Sequence, residues 1–301
     1  MDDNSSREQL EFLLVSDSNY ASYLATAMAS ILENAPDDER LRFHIVDAGL
    51  TPRDAARIES LKSIRPFELT FYRPDLSEYL KLFPKHIGWL PVVCNCRLFL
   101  AKYLPKTLDK VLYLDVDLVV LGDLRELWNK RVDDVYFAAA PDRYVTEEHK
   151  KTLGLPESRA YFNSGVLLVN VKKWRDEGLA EQAIDVCGEI YDKIRYQDQD
   201  VLNVIASRSD YLELDEKWNC HPNVYAEGET RVLHFMGERL KLPRLEILFS
   251  YAAKTPYKRL PFQTIQYKVK RRAKKIFCQF ASLFIANRER RRAFRNRFNL
   301  R

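Results

Sequence analysis

Two carboxylates stand two residues apart in the run DKVLYLDVDLVVLGDL (109–124), at Asp115 and Asp117, inside an otherwise apolar stretch of Val, Leu and Tyr. On an alternating strand both would point to the same face, because side chains i and i+2 share a side. Like charges so close repel, and burying them without a counter-charge is costly. A positive partner is therefore expected between them. A divalent cation fits, since an Asp-x-Asp at a strand exit can hold such an ion, which in turn neutralises phosphate oxygens. The same pair can also do no more than cap a strand or loop, so the surrounding chain has to decide.

The chain has 301 residues, 46% hydrophobic and 30% charged, enough for one large domain or two small ones and unlike a disordered segment. The opening MDDNSSREQLEF is acidic and polar, the opposite of a secretory leader, and no run approaches the roughly 20 apolar residues of a membrane-spanning helix. Five scattered cysteines (Cys94, Cys96, Cys187, Cys220 and Cys278) suggest reduced thiols rather than a disulfide framework. Charge is unevenly distributed. Residues 267–301 hold 13 Lys/Arg against one acid, Glu289; taking these from the chain totals leaves 35 basic and 42 acidic residues before them.

The elements that would carry the two acids follow from periodicity. EFLLVSDSNY (11–20) reads as a strand entering a polar turn, YASYLATAMASILENA (20–35) as an amphipathic helix stopped by Pro36, and RLRFHIVDAGL (40–50) as a second strand. Thr51-Pro52 opens a helix to about Ile64, and FELTFYR (67–73) is a third strand. This β-α-β-α-β order predicts an α/β fold with a mostly parallel sheet covered on both faces. Ligands bind such sheets beyond the carboxyl ends of the strands, so Asp17 and Asn19 face the expected crevice. Downstream, 95–105 is expected as a helix, KVLYLDVD as a strand, 135–144 and 161–174 as strands, about 176–196 and 196–206 as helices, and TRVLHFMG (230–237) as a late strand ending in His234. No G-x-G-x-x-G and no G-x-x-x-x-G-K-[ST] phosphate loop occurs.

DVDLVV resembles the nucleophile motif of haloacid-dehalogenase-type phosphatases, whose first Asp attacks phosphorus and whose second acts as acid and base. That motif normally follows the first strand of its domain, whereas about a hundred residues of α/β pattern precede it here. A better match comes from several stretches in order. SDSNY, CRLFLAKYLP, KVLYLDVDLVVLGDLRELW, FNSGVLLVNVKKW, YQDQDVLN and HFMG together resemble glycosyltransferase family 8, which includes glycogenin and bacterial galactosyl- and glucosyltransferases of lipopolysaccharide synthesis. The resemblance covers about residues 10–240. It implies a GT-A fold with a Rossmann-like sheet, a UDP-hexose donor, Mn²⁺ (with Mg²⁺ as a substitute) and retention of anomeric configuration.

Position by position, the resemblance implies that Asp115, Asp117 and His234 hold the metal. It implies uracil and ribose contacts for Asp17 and Asn19, neutralisation of donor charge by Arg97, and a sugar pocket lined by Asp142, Asn163, Asp198 and Gln199. Gln199 would lie on the face of the anomeric carbon opposite the departing UDP. A retaining hydrolase places a nucleophilic carboxylate there, so an amide points to same-face attack by the acceptor hydroxyl. The family usually continues H-x-G-x-x-K-P-W; HFMGERLKLP puts Leu240 at the lysine position and Lys241 one later, so Lys241 or Arg239 is left to meet the diphosphate. That departure admits an alternative, a weakly active member that only binds nucleotide sugars or glycans.

In the tail, IFCQFASLFIA is flanked by basic clusters and is too short to span a bilayer. It suits lying on an anionic membrane surface, whereas nucleic acid would find no continuation of positive charge on the acidic body. The expectation is a catalytic domain over 8–245 and an extension over 246–301 that touches the membrane through 267–301. The protein would then be cytoplasmic and peripheral at the inner face of the cytoplasmic membrane, acting on a lipid-linked or oligosaccharide acceptor such as lipopolysaccharide core, without binding nucleic acid.

Overall fold

The computed structural model of the chain describes residues 9–75, 77–84, 92–236 and 242–261. Strand β1 (Leu10–Ser16) is an almost uninterrupted apolar run buried on both faces, as a central parallel strand must be. It is followed by helix α1 (Ala21–Asn34), β2 (Leu41–Asp47), α2 (Pro52–Glu59) and β3 (Glu68–Tyr72). The start of α2 is fixed by a capping box: Thr51 Oγ1 accepts from the Asp54 amide and Asp54 Oδ2 accepts from the Thr51 amide, with Pro52 at the first helical position.

After the short α3 (Ser77–Leu80), a 3₁₀ segment (Val92–Phe99) runs into a single turn α4 (Leu100–Tyr103), where periodicity had suggested one helix over 95–105. Next come β4 (Lys110–Leu114), β5 (Leu118–Val120), α5 (Arg125–Trp128), β6 (Phe137–Pro141), α6 (Glu147–Leu153) and β7 (Phe162–Asn170). β7 stops four residues before the expected 174 because the Asn170 side chain accepts from the Lys173 amide at 2.8 Å and caps α7 (Val171–Asp176). The helix expected over 176–196 is α8 (Leu179–Ile190), separated from α7 by Gly178 at φ 63. α9 (Asp198–Arg208), β8 (Leu212–Glu213), β9 (Val232–His234) and α10 (Leu245–Lys254) complete the order.

The strands form a seven-stranded sheet in the order β3-β2-β1-β4-β7-β6-β8 and a separate ribbon of β5 with β9. Only β7 runs against the rest of the large sheet; it pairs antiparallel with both β4 and β6. The sheet is thus mostly parallel, as expected. The reversal matters for function, because the N-terminus of β7 lies at the same end as the carboxyl ends of β1, β4 and β6. A core of Phe137, Phe162 and Trp174, with ring centroids 5.1 and 6.3 Å from Phe137, supports that arrangement from beneath.

The chain divides into two compact units, 1–257 and 258–301. α10 packs on α1 and β5 and so belongs to the first unit. The basic tail 267–301 and Lys241 lie outside the described residues. Among the described residues, no helix is long and apolar enough to cross a membrane. Cys94, Cys96, Cys187 and Cys220 are free thiols.

Candidate active site

The two acids that opened the sequence do not share a strand. β4 ends at Leu114 and β5 starts at Leu118, so Asp115-Val116-Asp117 is the bend where the chain leaves the large sheet for the ribbon. Backbone bonds hold this bend from both sides. The Asp115 amide donates to the Gly165 carbonyl at 2.8 Å, and the Phe235 amide donates to the Asp117 carbonyl at 2.8 Å. Because Leu118 pairs with His234 in the ribbon, the histidine arrives beside Asp117. His234 Nε2 lies 3.2 Å from Asp117 Oδ1 and 3.7 Å from Asp115 Oδ2.

One donor atom from each of Asp115, Asp117 and His234 lies within 4.8 Å of the other two. Burial works to lower the His234 pKa, but the carboxylates of Asp117 and Asp115 outweigh it and raise the value. The cluster is therefore one where positive charge is favoured. Two carboxylate oxygens and an imidazole nitrogen are also an ordinary donor set for a divalent transition metal. Space has been kept for them: a β-carbon built on Gly165 would lie 2.2 Å from His234 Cε1 and 2.8 Å from Asp115 Oδ2. The residues fit a bound divalent cation.

A second positive partner for Asp115 is supplied by the protein. The buried Arg97 donates to Asp115 Oδ1 at 2.9 Å, pairs with Asp198 Oδ2 at 2.9 Å and donates to the Ser164 carbonyl at 2.5 Å. Its guanidinium stacks 4.4 Å over the Tyr113 ring, whose hydroxyl also donates to Asp115 Oδ1 at 2.8 Å. Burial pushes the Asp198 carboxyl up to about 7, against the pull of Arg97. Arg97 thus ties the bend to the start of α9.

Gln199, one residue further, has its amide fixed at both ends. Oε1 accepts from Asn163 Nδ2 at 3.0 Å and from the Ser164 amide at 3.1 Å; Nε2 donates to Asp142 Oδ2 at 3.2 Å and to the Tyr161 hydroxyl at 3.3 Å. The helix is presented by an unusual residue. Gln197 adopts φ 54 and ψ −128, fully buried, and donates from Nε2 to the Pro84 carbonyl. Asp200 secures the same turn by accepting from the amides of Arg195 and Tyr196 and from the Tyr161 hydroxyl.

These groups surround one cavity of about 380 Å³. Asp17, Arg97, Asp115, Asp117, Asp142, Asn163, Asp198, Gln199 and His234 all reach its wall. Asn19 does not; its amide and side chain instead donate to the Asp17 carboxylate at 2.9 Å, shaping the turn before α1. Several wall residues were not singled out from sequence: Tyr20, Tyr113, Tyr144, Ser164, Tyr196 and His221. Tyr144 and His221 pair on the cavity wall, with the hydroxyl 3.0 Å from Nδ1 and the rings 4.4 Å apart. Gly165 is a glycine inside strand β7, a recognised signal of close approach.

Comparison with known proteins gives a consistent result. The profile of the family described as Glycosyl transferase family 8 matches residues 12–241. A lipopolysaccharide 1,2-glucosyltransferase of Escherichia coli is 32% identical over 219 residues, covering 71% of this chain and 63% of that protein. A lipopolysaccharide 1,3-galactosyltransferase of Salmonella typhimurium is 28% identical over 240 residues, covering 73% and 69%. The chain spans less than two thirds of the Escherichia coli relative, and 59% of a Haemophilus influenzae relative to which it is 34% identical. Among solved structures, the galactosyltransferase LgtC in complex with donor and acceptor sugar analogs superposes with a TM-score of 0.73 at 26% identity, covering 84% of this chain and 99% of that one.

Proposed function

The chain belongs to glycosyltransferase family 8 and has its GT-A fold, and on that premise we propose that it transfers galactose or glucose from a UDP-sugar, with retention, to a surface-glycan acceptor such as lipopolysaccharide core or lipooligosaccharide. The observation that carries this reading is the convergence of Asp115, Asp117 and His234 with Asp198 and Gln199 on one cavity. The acceptor class is supported by the lipopolysaccharide glycosyltransferases among its relatives.

Asp115, Asp117 and His234 would hold Mn²⁺, or Mg²⁺ in its place. The ion would supply charge compensation to the diphosphate leaving group without a proton transfer. Asp17 would meet the nucleoside end of the donor, with Asn19 holding its carboxylate in place. Asp142, Asn163 and Asp198 would receive the sugar hydroxyls. Gln199, a neutral amide held by four bonds, would stand where a retaining hydrolase places a carboxylate nucleophile. The acceptor hydroxyl would accordingly attack from the face that UDP leaves. Intact-mass analysis during turnover should find no sugar bound to the chain; a glycosyl adduct on Asp198 or Gln199 would overturn same-face attack.

The decisive experiment is a panel of UDP-sugars tested for hydrolysis and for thermal shift, each with and without Mn²⁺. At least one UDP-hexose should be hydrolysed slowly in the absence of acceptor, and only with metal. A chain that binds UDP-sugars without turning any over would be a binding protein instead. No metal-dependent response to any donor would overturn the assignment. We further propose that residues 267–301 hold the protein at the inner face of the cytoplasmic membrane. Full-length protein should co-sediment with anionic liposomes while a 1–266 truncation stays in the supernatant, and equal partitioning would end that idea.

A further inference from the structure

We propose that Asn219 is a positioning residue that sets the tautomer of His234 and joins the metal site to Gln199; the inference rests on the metal reading given above. Asn219 follows the 3₁₀ turn Glu216–Trp218 and is 4% exposed. Its neighbour Cys220 runs beside β9, donating from its amide to the Val232 carbonyl at 2.9 Å and accepting the His234 amide at 2.9 Å. The backbone therefore delivers the Asn219 side chain to the imidazole edge turned away from the carboxylates. Asn219 Oδ1 lies 2.9 Å from His234 Nδ1, and Asn219 Nδ2 lies 2.8 Å from Asn163 Oδ1.

Which way each amide points is settled by main-chain donors. The Gly165 amide can only donate, and it does so to Asn163 Oδ1 at 2.9 Å. Asn163 must therefore turn its Nδ2 toward Gln199 Oε1, which in turn accepts from the Ser164 amide. With Asn163 Oδ1 fixed as an acceptor, Asn219 must present Nδ2 to it and Oδ1 to the histidine. A carbonyl oxygen only accepts, so in the neutral ring the proton sits on Nδ1. The Nε2 lone pair is then free and faces Asp117 and Asp115. Two consecutive backbone amides, of Ser164 and Gly165, thereby dictate the state of a metal ligand 69 residues further along the chain. The same four side chains, His234, Asn219, Asn163 and Gln199, form an unbroken line from the metal site to the sugar pocket.

The two ends of Asn219 do separable work, which makes the idea testable. Full-length wild type, Asn219→Leu and Asn219→Asp would be compared by Mn²⁺ binding in the presence of UDP. Binding is read from the loss of the free-Mn²⁺ electron paramagnetic resonance signal, and hydrolysis of the donor is measured in parallel. Leucine removes the acceptor and should weaken Mn²⁺ affinity about 10–100-fold. Aspartate keeps an oxygen for Nδ1–H, so affinity should be no weaker than wild type. It removes the donor to Asn163, so kcat should fall about tenfold or more while metal affinity holds. The Mn²⁺-dependent rise in melting temperature gives a second measure that does not depend on each variant's own stability. Wild-type affinity in Asn219→Leu, or equal loss in both variants, would overturn the role of Asn219 while leaving the metal site standing. A wild-type protein that binds no Mn²⁺ would overturn both.

Discussion

Gly165 and His234 are packed so closely that the glycine has no room for a side chain: its missing β-carbon would sit 2.2 Å from the imidazole Cε1. Gly165→Ala must displace His234, Asp115 or both. The expected result is a rise of about 10–100-fold in the Mn²⁺ concentration needed for half-maximal UDP-sugar hydrolysis, comparable to losing support of a metal ligand. Titrating activity with Mn²⁺ checks this, and an unaltered titration would show that the cluster can move aside at no cost.

Asp115 and Asp117 should separate into two roles. Both would lose metal binding when changed to Asn, but only Asp115 also anchors the buried Arg97. Asp115→Ala should therefore lower stability by about 2–3 kcal/mol in metal-free buffer, the worth of a hydrogen bond to a charged group. Asp117→Ala removes the carboxylate 3.2 Å from the buried His234 Nε2 and should cost less, about 0.5–1.5 kcal/mol, the worth of an ordinary hydrogen bond. Urea unfolding in EDTA distinguishes the two, and equal destabilisation would contradict the distinction.

Gln199→Ala leaves the Ser164 amide without its acceptor at the cavity wall and Asn163 Nδ2 with only its longer bonds to Asp142 Oδ2 and Met236 Sδ, while sparing Asp17. kcat/KM for the donor should fall by about 10²–10³, as when one preorganised polar group is lost from an active site. Calorimetric affinity for UDP alone should stay within about twofold, a change of about 0.4 kcal/mol. A parallel collapse of UDP binding would place Gln199 at the nucleotide instead.

Asp54 offers a test of the donor-side scaffold through pH. Burial alone would raise its pKa, but the hydroxyls of Thr51, Tyr257 and Ser18 and the Thr51 amide more than compensate and lower it. A carboxylate lowered in the folded state contributes stability above its unfolded value of about 3.9, and that contribution is lost as pH falls through the folded value. Asp54→Ala should cost about 1–2 kcal/mol at pH 7, typical of a lost helix cap. The gap between wild type and variant should close as pH drops below about 4. A gap that does not narrow at all between about pH 4 and about pH 2 would show that packing, not charge, accounts for it.

Much of this was readable before any coordinates. The apolar runs of β1, β2 and β4 and the cap at Thr51 place the sheet and its open end, and those follow from local pattern. His234 is singled out only by HFMG and its resemblance, because pairing Leu118 with His234 spans a sequence distance that periodicity does not encode. The strand argument expects Asp115 and Asp117 on one alternating face, whereas a bend between β4 and β5 brings them together with His234. Asn219, Tyr144 and His221 carried no local signal at all. Their significance exists only in side-chain contacts made across long separations.

The bend at Asp115–Asp117 sits on the seam between the seven-stranded sheet and the three-residue ribbon of β5 and β9. An ion gripped by both acids and His234 is therefore a clip across that seam as well as a charge. At a hundred times its Kd such a ligand adds about 2.7 kcal/mol to whatever opening it opposes. Amide protons at 118–120 and 232–234 should then exchange with solvent more slowly when the site is filled, while those of β2 and β3 keep their rates. Occupancy of the site would be legible as local rigidity before a single bond is broken.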